Sequence, residues 1–432
     1  MDFPARESVE GLIDPLPLPE FTRITYEPET TALDDVGAIA RQEVEVLPFD
    51  DLDQGDTVAI GVGSRGIDNL VEITSTAVAT VRDLGYEPVV VPAMGSHGGA
   101  TETGQRDVLE HLGIDETTVD APIDARMDAT RVGEVTVGET AMPVFFSTAA
   151  LEADGVVVIN RVKAHTNYTG RFESGLTKMT VVGLGKQRGA KTFHSTAIAE
   201  GYEETLEAAL DVILDAAPVL GGVALVENFH EETALVEAIP AGSFTDREPA
   251  LLERAYEEMA TLPVDDIDLL VVDEIGKDIS GAGMDTNVIG RYRVLNAPDP
   301  ETPAIKLIYV RGLSEKTSGN GNGIGLADLT RQAAIDQLDL EKAYANAITS
   351  GSLEKSKLPV VAPDDEIALR IALASLGGYD PETVRVVWIE NTQDLGELVV
   401  SDAVLSDLPP AASPVETVSV TFEDGTAQRS ID

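Results

Sequence analysis

Between Asn160 and Ser195 the chain carries seven cations, Arg161, Lys163, Arg171, Lys178, Lys186, Arg188 and Lys191, against one acid, Glu173. The whole chain holds 30 Lys and Arg against 76 Asp and Glu, a net charge of −46, so this stretch inverts the local sign. It reads Asn160-Arg-Val-Lys-Ala-His165, then Ser174-Gly-Leu-Thr-Lys178, Gly183-Leu-Gly-Lys186 and Phe193-His194-Ser195. Cations among glycines that admit a ligand close to the backbone point to an anionic ligand. Two imidazoles in the same stretch add acid/base chemistry or metal ligation.

Two further loops could do chemistry. Gly61-Val-Gly-Ser-Arg65-Gly66 is a G-x-G-x-x-G turn between an expected strand and helix. The acid that would hold a ribose at the end of the next strand is missing, since that strand ends Val90-Val91-Pro92-Ala93-Met94 and Glu87 precedes it. What remains is a helix start with the Arg65 guanidinium beside it, suited to a phosphate or carboxylate. The second loop, Met94-Gly-Ser-His97-Gly-Gly-Ala-Thr101, offers His97 as an acid or base near neutral pH. His111 reads as a helix-end residue and His230 favours a structural role. H-x-x-x-H, D-x-D-x-D-G, G-x-x-x-x-G-K-[ST] and G-x-S-x-G patterns are absent.

The elements that must position these loops alternate between strand and helix. Thr57 to Gly63 reads as a strand, Asp68 to Leu84 as a helix, Pro88 to Val91 as a strand and Thr103 to Leu112 as a helix. This repeat predicts a parallel α/β sheet with ligand loops at the strand ends. Val156 to Asn160, a helix at Glu203 to Asp215 and a strand at Val223 to Glu227 continue it. After Pro263 a second set opens, with strands at Asp268 to Asp273, Ala304 to Val310 and Val384 to Ile389 and helices at Glu341 to Ile348 and Glu366 to Leu376. The expected organisation is two α/β domains, 1–262 and 263–432. Ser318 to Gly325 (SGNGNGIG) reads as a flexible connection.

Composition narrows the function classes. A charge of −46 argues against nucleic acid as a partner. No apolar run approaches the roughly 20 residues of a bilayer span, and no secretory signal is visible, so no membrane partner and a cytoplasmic location are the expectations. With no Cys, any metal must sit on His or oxygen ligands. Ten lysines against scattered carboxylates match a protein of a salt-loaded, halophilic cell.

The ordered set of His97, His165, Ser-Gly-Leu-Thr-Lys178 and His194 resembles the lactate racemase family, which uses a nickel-pincer nucleotide, a pyridinium-3,5-bisthiocarboxylic acid mononucleotide complex of Ni. The resemblance implies two α/β domains with the cofactor in a cleft between them. It implies that Lys178 tethers the nucleotide, that His194 ligates nickel, and that Gly175 and Lys186 belong to the cofactor site. His97 and His165 resemble the paired acid/base histidines, one for each enantiomer. Arg65 resembles an arginine that holds either the substrate carboxylate or the cofactor phosphate. In the second domain Asn287 and Arg293 resemble substrate contacts. Val62 stands where the family has Asp, the spacing from His165 to Lys178 is longer by about three residues, and Gly290 and Arg293 replace a glutamine and a lysine. Gly290 makes room there, which suggests a larger or more acidic 2-hydroxy acid than lactate. The implied activity is 2-hydroxy acid racemisation or epimerisation, with cofactor-biosynthesis proteins as partners. A nicotinamide-dependent oxidoreductase built on Gly61, Gly63 and Gly66 and a non-catalytic anion- or nucleotide-binding protein are the alternatives.

Overall fold

The structure, a computed structural model, describes residues 3–64, 66–295 and 298–431, with the backbone alone at 349 and 350. It is a mixed α/β protein of two compact units. One, here the amino unit, comprises Thr30–His165 and Thr169–Met259, and the carboxyl unit comprises Met1–Glu29, Thr166–Tyr168 and Ala260–Asp432.

In the amino unit the sheet order is Glu87–Pro92, Thr57–Val62, Gly155–Arg161, Val219–Glu227, Thr233–Pro240. The first four strands are parallel and the last is antiparallel. Their runs are apolar on both sides because both faces are covered. Val58, Ile60 and Val62 pack with Ile73, Val78 and Val81 of the helix Leu70–Asp83. Ala59, Val156 and Val158 pack on the other face with Phe193, Leu206 and Leu210 from the helices Lys186–Glu200 and Tyr202–Ala216. Alternate residues of one strand thus serve opposite cores. Each fully buried Val, Ile, Leu or Phe contributes about 1.5–3 kcal/mol. A hairpin, Ala129–Val137 with Thr140–Ser147, lies outside this sheet.

The carboxyl unit carries a sheet ordered Val360–Ala362, Leu329–Arg331, Ala304–Val310, Asp266–Val272, Val386–Ile389, Glu397–Ser401, Phe21–Tyr26, Ala412–Glu423, Thr426–Ile431. Its first five strands are parallel and the rest are antiparallel. The expected division at 262 and 263 therefore differs at the amino end. Phe21–Tyr26 inserts between Glu397–Ser401 and Ala412–Glu423, which draws residues up to Glu29 into the carboxyl unit. Thr166–Tyr168 also counts with that unit, where Thr286 Oγ1 and Lys355 Nζ both donate to Thr166 O at 3.0 Å. At the strand ends Arg311 pairs with Asp273 at 2.5 Å and with Asp365 at 2.8 Å, and Arg331 reaches Asp365 at 2.8 Å.

The SGNGNGIG loop departs from the flexible expectation. Asn322 and Ile324 are buried, and Gly323 N–H donates to Lys355 O at 2.8 Å. A loop whose backbone groups find partners and whose side chains are covered is fixed rather than free. Among the described residues no helix is long and apolar enough to cross a membrane.

Candidate functional site

The basic stretch begins where the strand Gly155–Arg161 leaves the amino-unit sheet. Lys163 and Ser174 exchange backbone hydrogen bonds at 2.9 and 3.1 Å and close the loop that holds His165. Inside it Glu173, only 1 % exposed, accepts His165 N–H at 2.5 Å, Gly170 N–H at 3.1 Å and the Tyr256 hydroxyl at 2.8 Å. Burial pushes its carboxyl above the usual carboxylate range, while these donors and the nearby Lys178 ammonium pull the other way. The single acid of the basic stretch thus fixes the backbone at His165.

Lys178 ends the short helix Leu176–Lys178, which continues as a wide π-helical turn, Met179–Gly183, before the helix Lys186–Glu200. Such widened turns recur at functional sites. Glu248 Oε2 accepts Thr177 N–H at 2.9 Å at the start of the short helix. A Cβ at Gly175 would collide with Glu248 Oε1, so the glycine is what admits the carboxyl. Burial raises Glu248 to about 7. Gly175 O also accepts Asn160 Nδ2 at 2.8 Å, tying the turn to the strand end.

His194 lies on the helix Lys186–Glu200, its ring edge-on to Phe193 with centroids 5.4 Å apart. Solvent reaches the side chain, yet protein crowds the ring closely enough that burial, with Lys178's ammonium second, lowers its pKa to about 4. Lys178 and His194 therefore share one electrostatic neighbourhood, and the imidazole is neutral at physiological pH.

His97 follows the strand Glu87–Pro92, and its Nδ1 shares a hydrogen bond with Ser64 Oγ, which sits just after the strand Thr57–Val62. Gln105 Nε2 donates to Gly95 O at 3.0 Å and to His97 O at 3.4 Å. Lys186, fully buried, donates from Nζ to Pro92 O at 2.8 Å and to Gln105 Oε1 at 3.2 Å. Lys186 was expected at a cofactor anion; its ammonium instead points inward and braces the His97 loop. Burial lowers it to about 8, against a smaller opposing effect of Asp124. Arg65 lies outside the described residues.

Other expected charges also have partners. Arg161 pairs with Glu227, and Arg171 pairs with Glu207 at 3.0 Å and Glu203 at 3.8 Å. Two of the seven cations are thus balanced by acids distant in sequence. A Cβ on Gly63 would lie 2.8 Å from Met179 Cε, so that glycine of the G-x-G-x-x-G turn makes room for a side chain rather than a pyrophosphate.

Asn287 and Arg293 belong to the carboxyl unit. Asn287 N–H donates to Asp285 Oδ1 at 2.9 Å, and its Oδ1 accepts the Tyr292 hydroxyl at 2.9 Å. Arg293 N–H donates to Asp299 Oδ1 at 2.9 Å, and its Nε lies 3.5 Å from Asp299 Oδ2. Gly290 was read as making room for substrate. It instead has φ 62°, and a Cβ there would collide with Pro303 O, so backbone geometry accounts for the glycine.

Sequence reasoning missed Ser64, Gln105, Tyr256 and Glu248, which hold the site through contacts between residues far apart in the chain. Glu173 was visible as the lone acid of the stretch but carried no signal of its bonds. His111 sits in the last turn of the helix Glu102–His111 with Nδ1 bonded to Asp107 O at 2.5 Å. His230 N–H donates to Asn228 Oδ1 at 2.9 Å.

Eight solved chains match this one, two of them as follows. A crystal structure of a Thermotoga maritima protein shares 13% identity, covering 84% of this chain and 98% of that one, with a TM-score of 0.52. The lactate racemase apoprotein of Thermoanaerobacterium thermosaccharolyticum shares 13% identity over 86% of this chain and 89% of its own, with a TM-score of 0.45. At this identity the first likeness is one of fold, and the second is too slight to build on. No curated protein matches the chain. A family model described as a domain of unknown function, DUF362, matches residues 60–290, more than half of the sequence and all of the stretch from His97 to His194. The chain belongs to the DUF362 family.

Proposed function

We propose that the chain is a racemase or epimerase of a 2-hydroxy acid that works with a nickel-pincer nucleotide tethered to Lys178 and ligated by His194. The observation that carries the reading is placement: Lys178 ends the short helix whose π-helical turn leads into the helix that bears His194. Burial, with the Lys178 ammonium second, lowers the His194 pKa to about 4, which favours a neutral imidazole with a lone pair for a metal. The donor set fits such a group. Among the described residues no three His, Asp or Glu side chains are grouped to hold a metal ion, so the metal's further donors would come from the bound nucleotide.

When bound, the group supplies a site that takes a hydride from the substrate carbon and returns it to either face. The chain's own residues move the proton. Inversion requires that the hydroxyl lose its proton from either enantiomer, and His97 and His165 serve as the two bases, each returning the proton as an acid. Ser64 orients the His97 ring through Nδ1, and Glu173 fixes the backbone at His165.

The test is elemental analysis for nickel together with mass spectrometry of the Lys178 peptide, on protein made at molar salt in a host that produces the cofactor. Nickel and a nucleotide-sized adduct are expected, and Lys178→Arg should remove both. His97→Ala and His165→Ala should keep the adduct and lose inversion of 2-hydroxy acids. A bare Lys178 and no nickel, beside a loaded control enzyme from the same host, would overturn the proposal.

A further inference from the structure

Arg188, Lys191, Thr192 and Ser195 recur at i, i+3, i+4 and i+7 on the helix Lys186–Glu200 and so share one face. With Thr140, Ala141, Met142, Pro143 and Phe145 of the hairpin they line an open cavity of about 420 Å³. That volume suits a small molecule. All of these residues belong to the amino unit.

The charge pattern of the cavity is unusual for this chain. Other guanidiniums of the amino unit find carboxylates: Arg126 pairs with Asp124 and Glu152, Arg171 with Glu207, and Arg247 with Glu237. Arg188 and Lys191 are exposed one turn apart, and neither side chain forms an ion pair among the described residues. Two like charges at this spacing repel by a few tenths of a kcal/mol, a cost that no ion pair among the described residues offsets. Glu200 touches the cavity lining, its carboxylate accepting the Thr140 hydroxyl at 2.6 Å. It sits nine residues beyond Lys191 and twelve beyond Arg188, roughly 14 and 18 Å along the helix axis. Thr192 donates its hydroxyl to Arg188 O and Gly189 O, which leaves its oxygen as an acceptor and the two cations as the charged donors facing the cavity. Pro143 and Phe145, which alternate along their strand with the core residues Met142, Val144 and Phe146, supply an apolar wall.

We infer that this cavity is a second ligand site, for a small organic anion whose carboxylate or phosphate pairs with Arg188 and Lys191 while its apolar body lies on Pro143 and Phe145. His194 does not line it, and the site does not depend on the reaction proposed above.

Phenyl phosphate is a suitable probe, titrated calorimetrically into the full chain over a series of potassium chloride concentrations that keep it folded, with inorganic phosphate as comparison. One site is expected, with phenyl phosphate bound about tenfold more tightly than inorganic phosphate, and Arg188→Gln with Lys191→Gln weakening it about tenfold or more. His194→Ala should leave this binding unchanged. Four results would overturn the inference: no binding, equal affinity for the two phosphates, unchanged affinity in the double variant, or loss of binding in His194→Ala. Both altered cations are exposed, and a circular dichroism spectrum like that of the parent confirms that the variant folds.

Discussion

Replacing Lys186 by methionine tests whether that residue is a brace rather than a ligand. The side chain keeps its length and loses its charge and donors. In the folded chain burial lowers the Lys186 pKa from its ordinary 10.5 to about 8. Below pH 8 both folded and unfolded chains hold the proton, and the folded state bears the whole cost of a buried charge. Between about 8 and 10.5 the unfolded chain binds more protons than the folded one, so stability rises with pH through that window. At about 1.4 kcal/mol per pH unit the gain is roughly 3 kcal/mol. Lys186→Met removes this gain and leaves Pro92 O and Gln105 Oε1 without their donor, at about 1–3 kcal/mol each. Near pH 7 relief of the buried charge offsets most of that loss, and the variant should lie within about 2 kcal/mol of the parent. At pH 10 it should fall behind by roughly 3 kcal/mol more. Urea unfolding followed by far-ultraviolet circular dichroism at pH 7, 8.5 and 10 reads the difference. A gap that stays constant across this range would refute the assignment of Lys186 as a buried, inward-facing ammonium.

Other tests probe the turn around Lys178. In a proton NMR titration the His194 ring should stay neutral well below pH 6, and Lys178→Gln should raise its pKa because one of the two depressing causes is gone; an unchanged value would separate the two residues. Glu248, raised to about 7 from an ordinary 4.5, binds more protons folded than unfolded in that window, so its contribution falls as pH rises from 4.5 to 7. Glu248→Gln keeps an acceptor for Thr177 N–H and should stabilise the chain at pH 8 by up to roughly 3 kcal/mol, with little change at pH 4.5, as read by urea midpoints. Gly175→Ala would press a methyl group into the Glu248 carboxyl and should cost about 1–3 kcal/mol, a loss that Gly175→Ala combined with Glu248→Ala should partly recover. Tyr256→Phe removes one donor to the buried Glu173 carboxyl and should destabilise by about 1–2 kcal/mol while raising the Glu173 pKa further.

The strands and helices of the parallel sheets were legible because their periodicity is local. TVAIGV and GVVVIN can be covered on both faces only in a doubly layered sheet, and the helix over Leu70–Asp83 shows its stripe in the sequence. The helix Lys186–Glu200 was hidden because its sequence, KQRGAKTFHSTAIAE, spreads glycine, threonine and charge around it and buries Phe193 and Ala190 without a clean stripe. The strand Phe21–Tyr26 could not be assigned to its unit from sequence, since its partners at Glu397–Ser401 and Ala412–Glu423 lie more than 370 residues away.

The same limit explains the misreading of Lys186. A run of cations shows in sequence as a charge excess, but whether each faces a ligand depends on acids and carbonyls brought in by other elements. Arg161 meets Glu227, Arg171 meets Glu207, and Lys186 meets Pro92 O and Gln105. Of the four that remain, Lys163 closes the His165 loop through its backbone, and Lys178, Arg188 and Lys191 fall on two places, the Lys178–His194 neighbourhood and the cavity beside the hairpin. In a chain at −46 that separation has a consequence for salt. Long-range repulsion opposes any anion, and added salt screens it, while local pairing at Arg188 and Lys191 weakens as chloride competes. Anion affinity at the cavity should therefore pass through a maximum as potassium chloride rises, whereas the double variant, with only the repulsion left, should show a monotonic rise.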